Sequence, residues 1–298
     1  MYIDKIEKLK KERDAILLVH NYQLGEVQDI ADYLGDSLGL SLTAAKSDCK
    51  VIVFCGVHFM AETASILCPD KIVLIPDPSA GCPMANMITV EELRRLKNEH
   101  PEAAVVSYVN TTAEIKAESD ICCTSANADK IVNYLEAPEI IFIPDKYLAH
   151  YVSTKTKKKI IPWNGYCPTH IRILMEHIIE QKKLHPKAKV IVHPECTPNV
   201  IDLADEVLST SGMVRYARES RAKEIIVGTE IGIIYRLRKE NPNKKFYVAS
   251  NSAVCPNMKL NTQEKVIWTL ENMKHQIKIP QNVQVKAIRT LEKMLEIT

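Results

Sequence analysis

The chain has 298 residues, of which 46% are hydrophobic and 26% are charged, and its formal net charge is +2 at pH 7. That hydrophobic fraction excludes a disordered chain, and the nearly balanced charge argues against a protein that binds nucleic acid by neutralising phosphates. Because no apolar run approaches the roughly 18 residues of a membrane span, we expect no membrane partner. Residues 3–13 have a helical pattern without the apolar centre of a signal peptide, so we expect a cytoplasmic protein with reduced cysteines.

The predicted secondary structure repeats one order three times: strand, helix, short strand, helix, strand, helix, strand. Runs of β-branched and aliphatic residues predict the longer strands, at 16–19, 51–54 and 72–75, then 105–109, 139–143 and 159–161, then 190–192, 224–227 and 246–248. Apolar residues on one helical face predict helices over 26–34 and 200–207, with a weaker counterpart at 114–120. Gly35 stands where a left-handed C-cap would end the first of these helices.

Strand-length runs that alternate with amphipathic helices are typical of parallel α/β sheets. Corresponding features recur after about 85–88 residues, which indicates repetition on the scale of a domain. We therefore predict an α/β fold of three homologous, Rossmann-like α/β/α domains, arranged with pseudo-threefold symmetry around a central active site. The predicted domains are residues 1–102 with an N-terminal helix, 103–186, and 187–298 with a C-terminal helical tail.

Three of the nine cysteines recur with the same period. Cys82, Cys167 and Cys255 lie 85 and 88 residues apart, and each precedes a proline. One thiolate from each domain could hold three irons of a [4Fe–4S] cluster and leave the fourth iron open as a Lewis acid. A zinc ion with three cysteines and a water, or purely structural cysteines, would fit the same spacing. The other six cysteines are interpreted as buried or incidental: Cys49, Cys55, Cys68, Cys122, Cys123 and Cys196.

Polar residues follow the first strand of each repeat, where the carboxyl ends of parallel strands bind ligands. His20 and His193 occupy equivalent positions, which favours a functional role over a structural one. Glu195 is a candidate for moving protons. Tyr22 and Tyr108 could serve the site or could be core aromatics. Further candidates are Asn110, which also follows a strand, and His170, which is close to Cys167 in the sequence.

Hydroxyl residues recur at a third set of equivalent positions, where a strand precedes a helix. Ser37, Ser125 and Thr210 could each be a simple N-cap, whereas together they could form an anion site with the free amides of the helices. A joint site would suit a small acid or a phosphate ester. The usual glycine-rich nucleotide-binding loops are absent from the sequence.

The segments that carry these residues resemble the quinolinate synthase family over nearly the whole chain. They include 18–23, 36–37, 81–85, 108–110, 124–127, 192–196, 228–232 and 254–258. The resemblance implies three α/β domains about a pseudo-threefold axis and a [4Fe–4S] cluster held by one cysteine from each. It also implies condensation of iminoaspartate (iminosuccinate) with dihydroxyacetone phosphate to quinolinate, phosphate and water in NAD biosynthesis. A functional link to an enzyme that produces iminoaspartate is then expected.

The resemblance also implies roles for individual residues. The cluster ligands would be Cys82, Cys167 and Cys255. The catalytic residues would be Tyr22, Tyr108, His193 and Glu195, with Tyr22 and Glu195 as the proton-handling pair. The substrate-binding residues would be His20, Ser37, Tyr108, Val109, Asn110, Ser125, His170, His193, Pro194, Glu195 and Thr210. Extra C-terminal cysteines of many relatives are absent from this sequence, so control through them is not expected.

Other functions use the same arrangement of three domains and three cysteines. A [4Fe–4S] reductase would consume a reductant, and a non-classical radical S-adenosylmethionine enzyme would cleave that cofactor. An electron carrier or iron sensor would hold a cluster without binding a small acid. These alternatives differ from the family reaction in what they consume, so simple assays separate them.

Overall fold

The computed structural model describes residues 2–297 and contains three four-stranded sheets, in which all paired strands are parallel. The three sheets share one strand order: in each, the second strand lies at the edge, followed by the first, third and fourth. Helices flank the sheets, and the central strands are buried on both faces, as parallel strands covered by helices must be. The predicted α/β fold with three similar domains is confirmed. We call the segments that contain these sheets the first, second and third units.

The first unit is preceded by a helix, α1 (Tyr2–Arg13). Its elements are β1 (Ala15–His20), α2 (Gly25–Gln28), β2 (Tyr33–Gly35), α3 (Ser37–Lys46), β3 (Val51–Cys55), α4 (His58–Leu67), β4 (Ile72–Leu74), a 3₁₀ turn (Pro83–Asn86) and α5 (Val90–Glu99).

The second unit repeats this order. Its elements are β5 (Ala104–Tyr108), α6 (Ala113–Ala117), β6 (Ile121–Cys123), α7 (Ala128–Tyr134), β7 (Glu139–Ile143), α8 (Lys146–Ser153), β8 (Lys159–Pro162), a 3₁₀ turn (His170–Arg172) and α9 (Met175–Leu184).

The third unit repeats it again and ends in two helices. Its elements are β9 (Lys189–Val192), α10 (Pro198–Ile201), β10 (Glu206–Val207), α11 (Thr210–Glu219), β11 (Glu224–Gly228), α12 (Ile233–Glu240), β12 (Lys245–Val248), a 3₁₀ turn (Asn257–Lys259), α13 (Gln263–Asn272) and α14 (Gln281–Glu296).

One aspartate in each unit fixes the edge strand against the first strand. The carboxylate of Asp32 accepts the amide hydrogen of Leu17 at 2.7 Å, and the amide of Asp32 donates to the carbonyl of Leu17 at 3.1 Å. Asp120 makes the same two bonds with Val105, and Asp205 makes them with Val190. Three repeats therefore share one tertiary hydrogen-bond pair, which the sequence analysis did not identify.

These aspartates explain why two predicted helices were wrong. The helix expected over 26–34 ends after one turn at Gln28, and Tyr33–Gly35 forms a strand in which Gly35 is no C-cap. The helix expected over 200–207 likewise ends at Ile201, and Glu206–Val207 forms a strand. The tertiary bonds of Asp32 and Asp205 hold the backbone beside the first strand of the unit, where a helix cannot continue.

The helices at the ends of the chain join the units. Helix α13 packs against α1, and α14 packs against α6 and β6 of the second unit and against α4 of the first. The predicted boundaries near residues 102 and 186 lie in the loops between α5 and β5 and between α9 and β9. Within residues 2–297, no helix combines the length and apolarity that crossing a membrane requires.

Candidate functional site

A cavity of about 230 Å³ lies where the carboxyl ends of strands from all three units meet. The parallel strands direct their following loops to this side of each sheet, as expected for a ligand site in an α/β protein. Most of the predicted site residues line it: His20, Tyr22, Ser37, Tyr108, Asn110, Ser125, His170, His193, Glu195 and Thr210, with Cys82, Cys167 and Cys255. Val109 and Pro194 are buried beside these residues and are not among those that line the cavity.

The three periodic cysteines lie in equivalent local structures. Each stands in the loop after the last strand of its unit and close before a 3₁₀ turn. Burial raises the pKa of the Cys82 thiol to about 12, while backbone N–H groups two and three residues further on favour its thiolate. Amides of the following turn act in the same direction on the pKa of Cys167 and Cys255. Amide hydrogen bonds to cysteine sulfur are a feature of iron–sulfur sites, so these loops fit thiolate ligands.

The spacing of the thiols separates two of the metal hypotheses. A tetrahedral zinc ion with Zn–S bonds of about 2.3 Å requires sulfur atoms less than about 4 Å apart. Among residues 2–297, the three cysteines do not form a group whose ligand atoms all lie within 4.8 Å of one another. A polynuclear cluster spans a larger cavity than one ion does, so the donor set fits the [4Fe–4S] interpretation better than zinc.

The described residues contain one tighter group of metal-ligating side chains: Cys167, His170 and Glu195. In this group Nδ1 of His170 lies 2.7 Å from Oε2 of Glu195 and 3.1 Å from Sγ of Cys167, and Nε2 lies 2.8 Å from Oγ1 of Thr229. Both ring nitrogens of His170 are therefore engaged in hydrogen bonds. We interpret the group as hydrogen-bonded rather than as a separate ion site.

The histidines at the ends of the first strands are held alike in two units. The backbone N–H of Tyr22 donates to Nδ1 of His20 at 3.2 Å, and that of Glu195 donates to Nδ1 of His193 at 3.3 Å. Burial, the largest cause, lowers the pKa of each imidazole to about 3. Each ring is therefore neutral near pH 7, and because Nδ1 accepts a hydrogen bond, its proton lies on Nε2.

A chain of hydrogen bonds begins at Tyr22. Its Oη lies 2.5 Å from Oγ1 of Thr229, and that hydroxyl lies 2.8 Å from Nε2 of His170. Burial and the nearby charge of Glu195 raise the pKa of Tyr22 well above its ordinary value, so the phenol keeps its proton. The phenol is thus a potential proton donor at the start of a path from the first unit through the third to the second.

The same chain continues through Glu195 to Tyr108. Nδ1 of His170 faces Oε2 of Glu195, and the hydroxyl of Tyr108 donates to Oε1 at 2.6 Å. Burial alone would raise the pKa of Glu195, but the facing His170 and the hydrogen bonds from His170 and Tyr108 hold it well below its ordinary range. Glu195 is therefore ionised, whereas burial and this carboxylate raise the pKa of Tyr108.

The recurring hydroxyls are not the helix caps that each might have been. Asp36 caps α3 by accepting from the amide of Gly39 at 2.8 Å, and Ser209 caps α11 by accepting from Gly212 at 3.2 Å. Ser37 and Thr210 are instead the first helical residues, where backbone amides are free for an anion. Ser125 lies in the turn before α7 and also lines the cavity.

The amide side chain of Asn110 provides a further sign of a ligand. Asn110 lines the cavity, and its Oδ1 is buried without a hydrogen-bond partner among the described residues. A buried acceptor without a partner costs free energy, so it calls for a donor from the bound molecule. The polar lining is therefore incomplete without a ligand.

Glu230 is fully buried and was not among the predicted site residues. Its carboxylate helps to connect the Cys255 loop to the Tyr22 turn. Glu230 accepts the amide hydrogen of Cys255 at 3.1 Å and that of Gly232 at 2.7 Å, and it pairs with Nζ of Lys259 at 2.9 Å. Lys259 also donates to the carbonyl of Tyr22. The pair thus fixes the Cys255 loop of the third unit against the Tyr22 turn of the first.

Thr229 was also missed, although it lies in a segment that carries the family resemblance. A signal for it is its position directly after β11, the third strand of its unit, since ligands bind at the carboxyl ends of parallel strands. Outside the site, five of the six cysteines set aside are buried and Cys49 is half-buried, which confirms their interpretation: Cys55, Cys68, Cys122, Cys123 and Cys196.

Comparison with known proteins identifies the family. The family model described as quinolinate synthetase A protein matches residues 4–296. A quinolinate synthase of Dehalococcoides mccartyi (strain CBDB1) is 60% identical over 293 residues, which cover 98% of this chain and 97% of that protein.

Other organisms have similar proteins of the same name. Quinolinate synthase of Methanosarcina barkeri is 55% identical over 295 residues, covering 99% of this chain and 97% of the relative. That of Geotalea uraniireducens is 54% identical over 301 residues, covering 100% of this chain and 99% of the relative. The matched regions include all the residues that line the cavity. The chain therefore belongs to the quinolinate synthetase A family of enzymes.

Proposed function

We propose that this enzyme condenses iminoaspartate with dihydroxyacetone phosphate to form quinolinate, phosphate and water, as a step of NAD biosynthesis. The observation that carries the proposal is the single cavity to which each unit contributes one cysteine, together with one hydrogen-bonded chain of acid and base groups. Both substrates are small and anionic, which suits a cavity of about 230 Å³ lined by hydroxyls and neutral imidazoles.

The carboxylates of iminoaspartate would bind to the equivalent hydroxyls and imidazoles. Ser37 and Thr210 offer hydroxyls beside free helix amides, and the neutral rings of His20 and His193 offer Nε2–H donors. Neutral donors bind a carboxylate without adding a titrating charge to the site. The free Oδ1 of Asn110 would accept a hydrogen from the imine nitrogen or a substrate hydroxyl.

The proton transfers would use the two ends of the hydrogen-bonded chain. Glu195 is ionised and would accept a proton from the substrate carbon that becomes nucleophilic, as a general base. Tyr22 is protonated and would donate to the hydroxyl that leaves as water, as a general acid. Thr229 and His170 connect the two residues, so a proton taken at one end can be restored at the other.

Cys82, Cys167 and Cys255 would hold the [4Fe–4S] cluster. When bound, its open iron would supply a Lewis acid for substrate oxygens. The backbone amides that follow each cysteine would support the thiolates, and Glu230 would hold the Cys255 loop in place through its amide.

The test is an anaerobic assay of the protein with a reconstituted cluster, supplied with oxaloacetate, ammonia and dihydroxyacetone phosphate. We expect quinolinate and phosphate in equal amounts, identified by mass and by the phosphate released. Protein with an intact cluster that forms no quinolinate would contradict the proposal.

Two omissions in the same assay distinguish the alternatives. Quinolinate should form without an added electron donor, which a reductase would require, and without S-adenosylmethionine, which a radical enzyme would cleave. An electron carrier or iron sensor would show a cluster spectrum and no product under either condition.

A further inference from the structure

Arg172 is the one lysine or arginine among the residues that line the cavity. It ends the 3₁₀ turn His170–Arg172 and is exposed to solvent, whereas His170 and Ile173 are buried. Arg172 therefore lies where the lining of the cavity meets solvent. The turn itself is tied down, since the amide of Arg172 donates to Thr169 at 3.2 Å.

The guanidinium of Arg172 has no hydrogen bond or ion pair with the protein in the part of the chain that the structure describes. The other charged groups of the cavity are engaged. Glu230 pairs with Lys259, Glu195 pairs with His170, and Asp36 caps α3. The cavity is lined by three carboxylates and two neutral imidazoles. Arg172 supplies the one permanent positive charge among the residues that line it.

The proposed reaction assigns different fates to the anionic groups of its two substrates. The two carboxylates remain in quinolinate, so buried donors such as Thr210, His20 and His193 can hold them throughout. The phosphate is expelled, so the group that binds it must be accessible to solvent. An exposed guanidinium meets this requirement and matches phosphate oxygens with paired N–H donors.

On the basis of the proposed function, we infer that Arg172 binds the phosphate group of the phosphate-ester substrate at the mouth of the cavity. It orients that substrate with its carbon chain inward and releases inorganic phosphate to solvent. Arg172 is thus a substrate-binding residue rather than a proton-transfer group.

The test compares Arg172→Gln and Arg172→Lys with the wild-type enzyme, all with reconstituted clusters. Arg172→Gln should raise the KM for dihydroxyacetone phosphate roughly 10- to 100-fold, the effect of losing a hydrogen-bonded ion pair. The KM for iminoaspartate and the cluster absorbance should stay within about 2-fold of wild type. Arg172→Lys should recover part of the loss, since it keeps the charge and loses the paired donors.

Arg221→Gln is the matched control, because Arg221 is exposed and lies just before β11, at the amino end of that strand. It should leave both KM values unchanged. An equal rise of both KM values in Arg172→Gln would show general attraction of anions and overturn the assignment to phosphate. Unchanged KM values would overturn it altogether.

Binding of inorganic phosphate gives a readout that does not depend on turnover. Titration calorimetry of the cluster-loaded protein should show phosphate binding that Arg172→Gln weakens by a similar factor and that Arg221→Gln retains. Equal phosphate affinity in wild type and Arg172→Gln would contradict the role of Arg172. Absence of quinolinate from the wild-type protein, with phosphate binding still dependent on Arg172, would contradict the proposed reaction and leave the anion site standing.

Discussion

The turns after β1 and β9 share one backbone arrangement but carry chemically different side chains. In both, a histidine at the strand end accepts the amide hydrogen of the residue two positions later, through Nδ1, at 3.2 Å and 3.3 Å. That later residue is Tyr22 in the first unit and Glu195 in the third. Repetition of the scaffold thus places a phenol and a carboxylate, the proposed acid and base, at equivalent positions of one cavity.

The surroundings of the two residues move their pKa values apart. Burial raises the pKa of Tyr22, whereas the facing His170, together with the hydrogen bonds from His170 and Tyr108, holds the pKa of Glu195 low despite its burial. Near pH 7 the phenol of Tyr22 is therefore protonated and the carboxylate of Glu195 is ionised, which are the protonation states that a proton donor and a proton acceptor need. The repeat supplies the position of the two side chains, whereas the residue type in each copy of the turn sets the protonation state.

The largest expected effect is at Glu195, the proposed base. Glu195→Gln keeps the shape of the side chain and removes the carboxylate that His170 and Tyr108 contact, so kcat should fall by about 1,000-fold, within the usual range for a general base. The measurement is steady-state quinolinate formation together with the cluster spectrum, which should be unchanged. Retention of a tenth or more of the wild-type kcat would show that the third-unit turn does not supply the base.

A smaller effect is expected at the acid. Tyr22→Phe removes the hydroxyl that bonds Thr229 and leaves the ring in place, so kcat should fall by about 100-fold. The KM values should change little, because the buried donors that we propose for substrate binding remain. If the KM values rise and kcat does not fall, Tyr22 binds substrate and the comparison of acid with base fails.

The link between the two residues is tested at Thr229. Thr229→Val removes the hydroxyl between Tyr22 and His170 at nearly constant volume, and we expect kcat to fall by about 10-fold, as for the loss of a buried hydrogen bond. Thr229→Ser keeps the hydroxyl and should retain most of the activity. Equal activity of the two variants would show that the acid and the base work without this connection.

The neutral histidines make the folded protein sensitive to acid. The pKa of His20 is about 3 in the folded chain and about 6.5 in an unfolded one, so protonation favours unfolding as the pH falls below 6.5. At pH 5 this single group should lower the free energy of unfolding by about 2 kcal/mol relative to pH 8.

Denaturant unfolding at the two pH values measures this loss, which His20→Asn should reduce and the exposed His150→Asn should not. Equal pH dependence of wild type and His20→Asn would mean that the histidine is not held neutral in the first-unit turn.

Sequence patterns predicted the central strands well because buried parallel strands need continuous β-branched and aliphatic runs, as in β3, β7 and β11. The helices expected over 26–34 and 200–207 failed because helical periodicity is a local signal, whereas the bonds of Asp32 and Asp205 to a strand 15 residues earlier are tertiary. The recurring hydroxyls follow these aspartates by five residues, so one contact positions both features.

The site residues that recur with the repeat could be predicted from the sequence. The site residues that depend on contacts between units could not. The cysteines and strand-end residues recur with the period, which allowed their selection. Thr229 and Glu230 have no such marker, and their partners Tyr22 and Lys259 lie 207 and 29 residues away in the sequence. The bonds of Thr229 to Tyr22 and His170 join different units, so they follow only from how the three units pack.

The central claim is that three equivalent cysteines, one from each unit, hold a single cluster. The direct measurement is iron and acid-labile sulfide per chain after anaerobic reconstitution of wild type and of four variants: Cys82→Ser, Cys167→Ser, Cys255→Ser and Cys49→Ser. We predict about four irons and four sulfides for wild type and Cys49→Ser, and loss of the cluster and of quinolinate formation in the other three variants. A full cluster and full activity in Cys82→Ser would contradict the account.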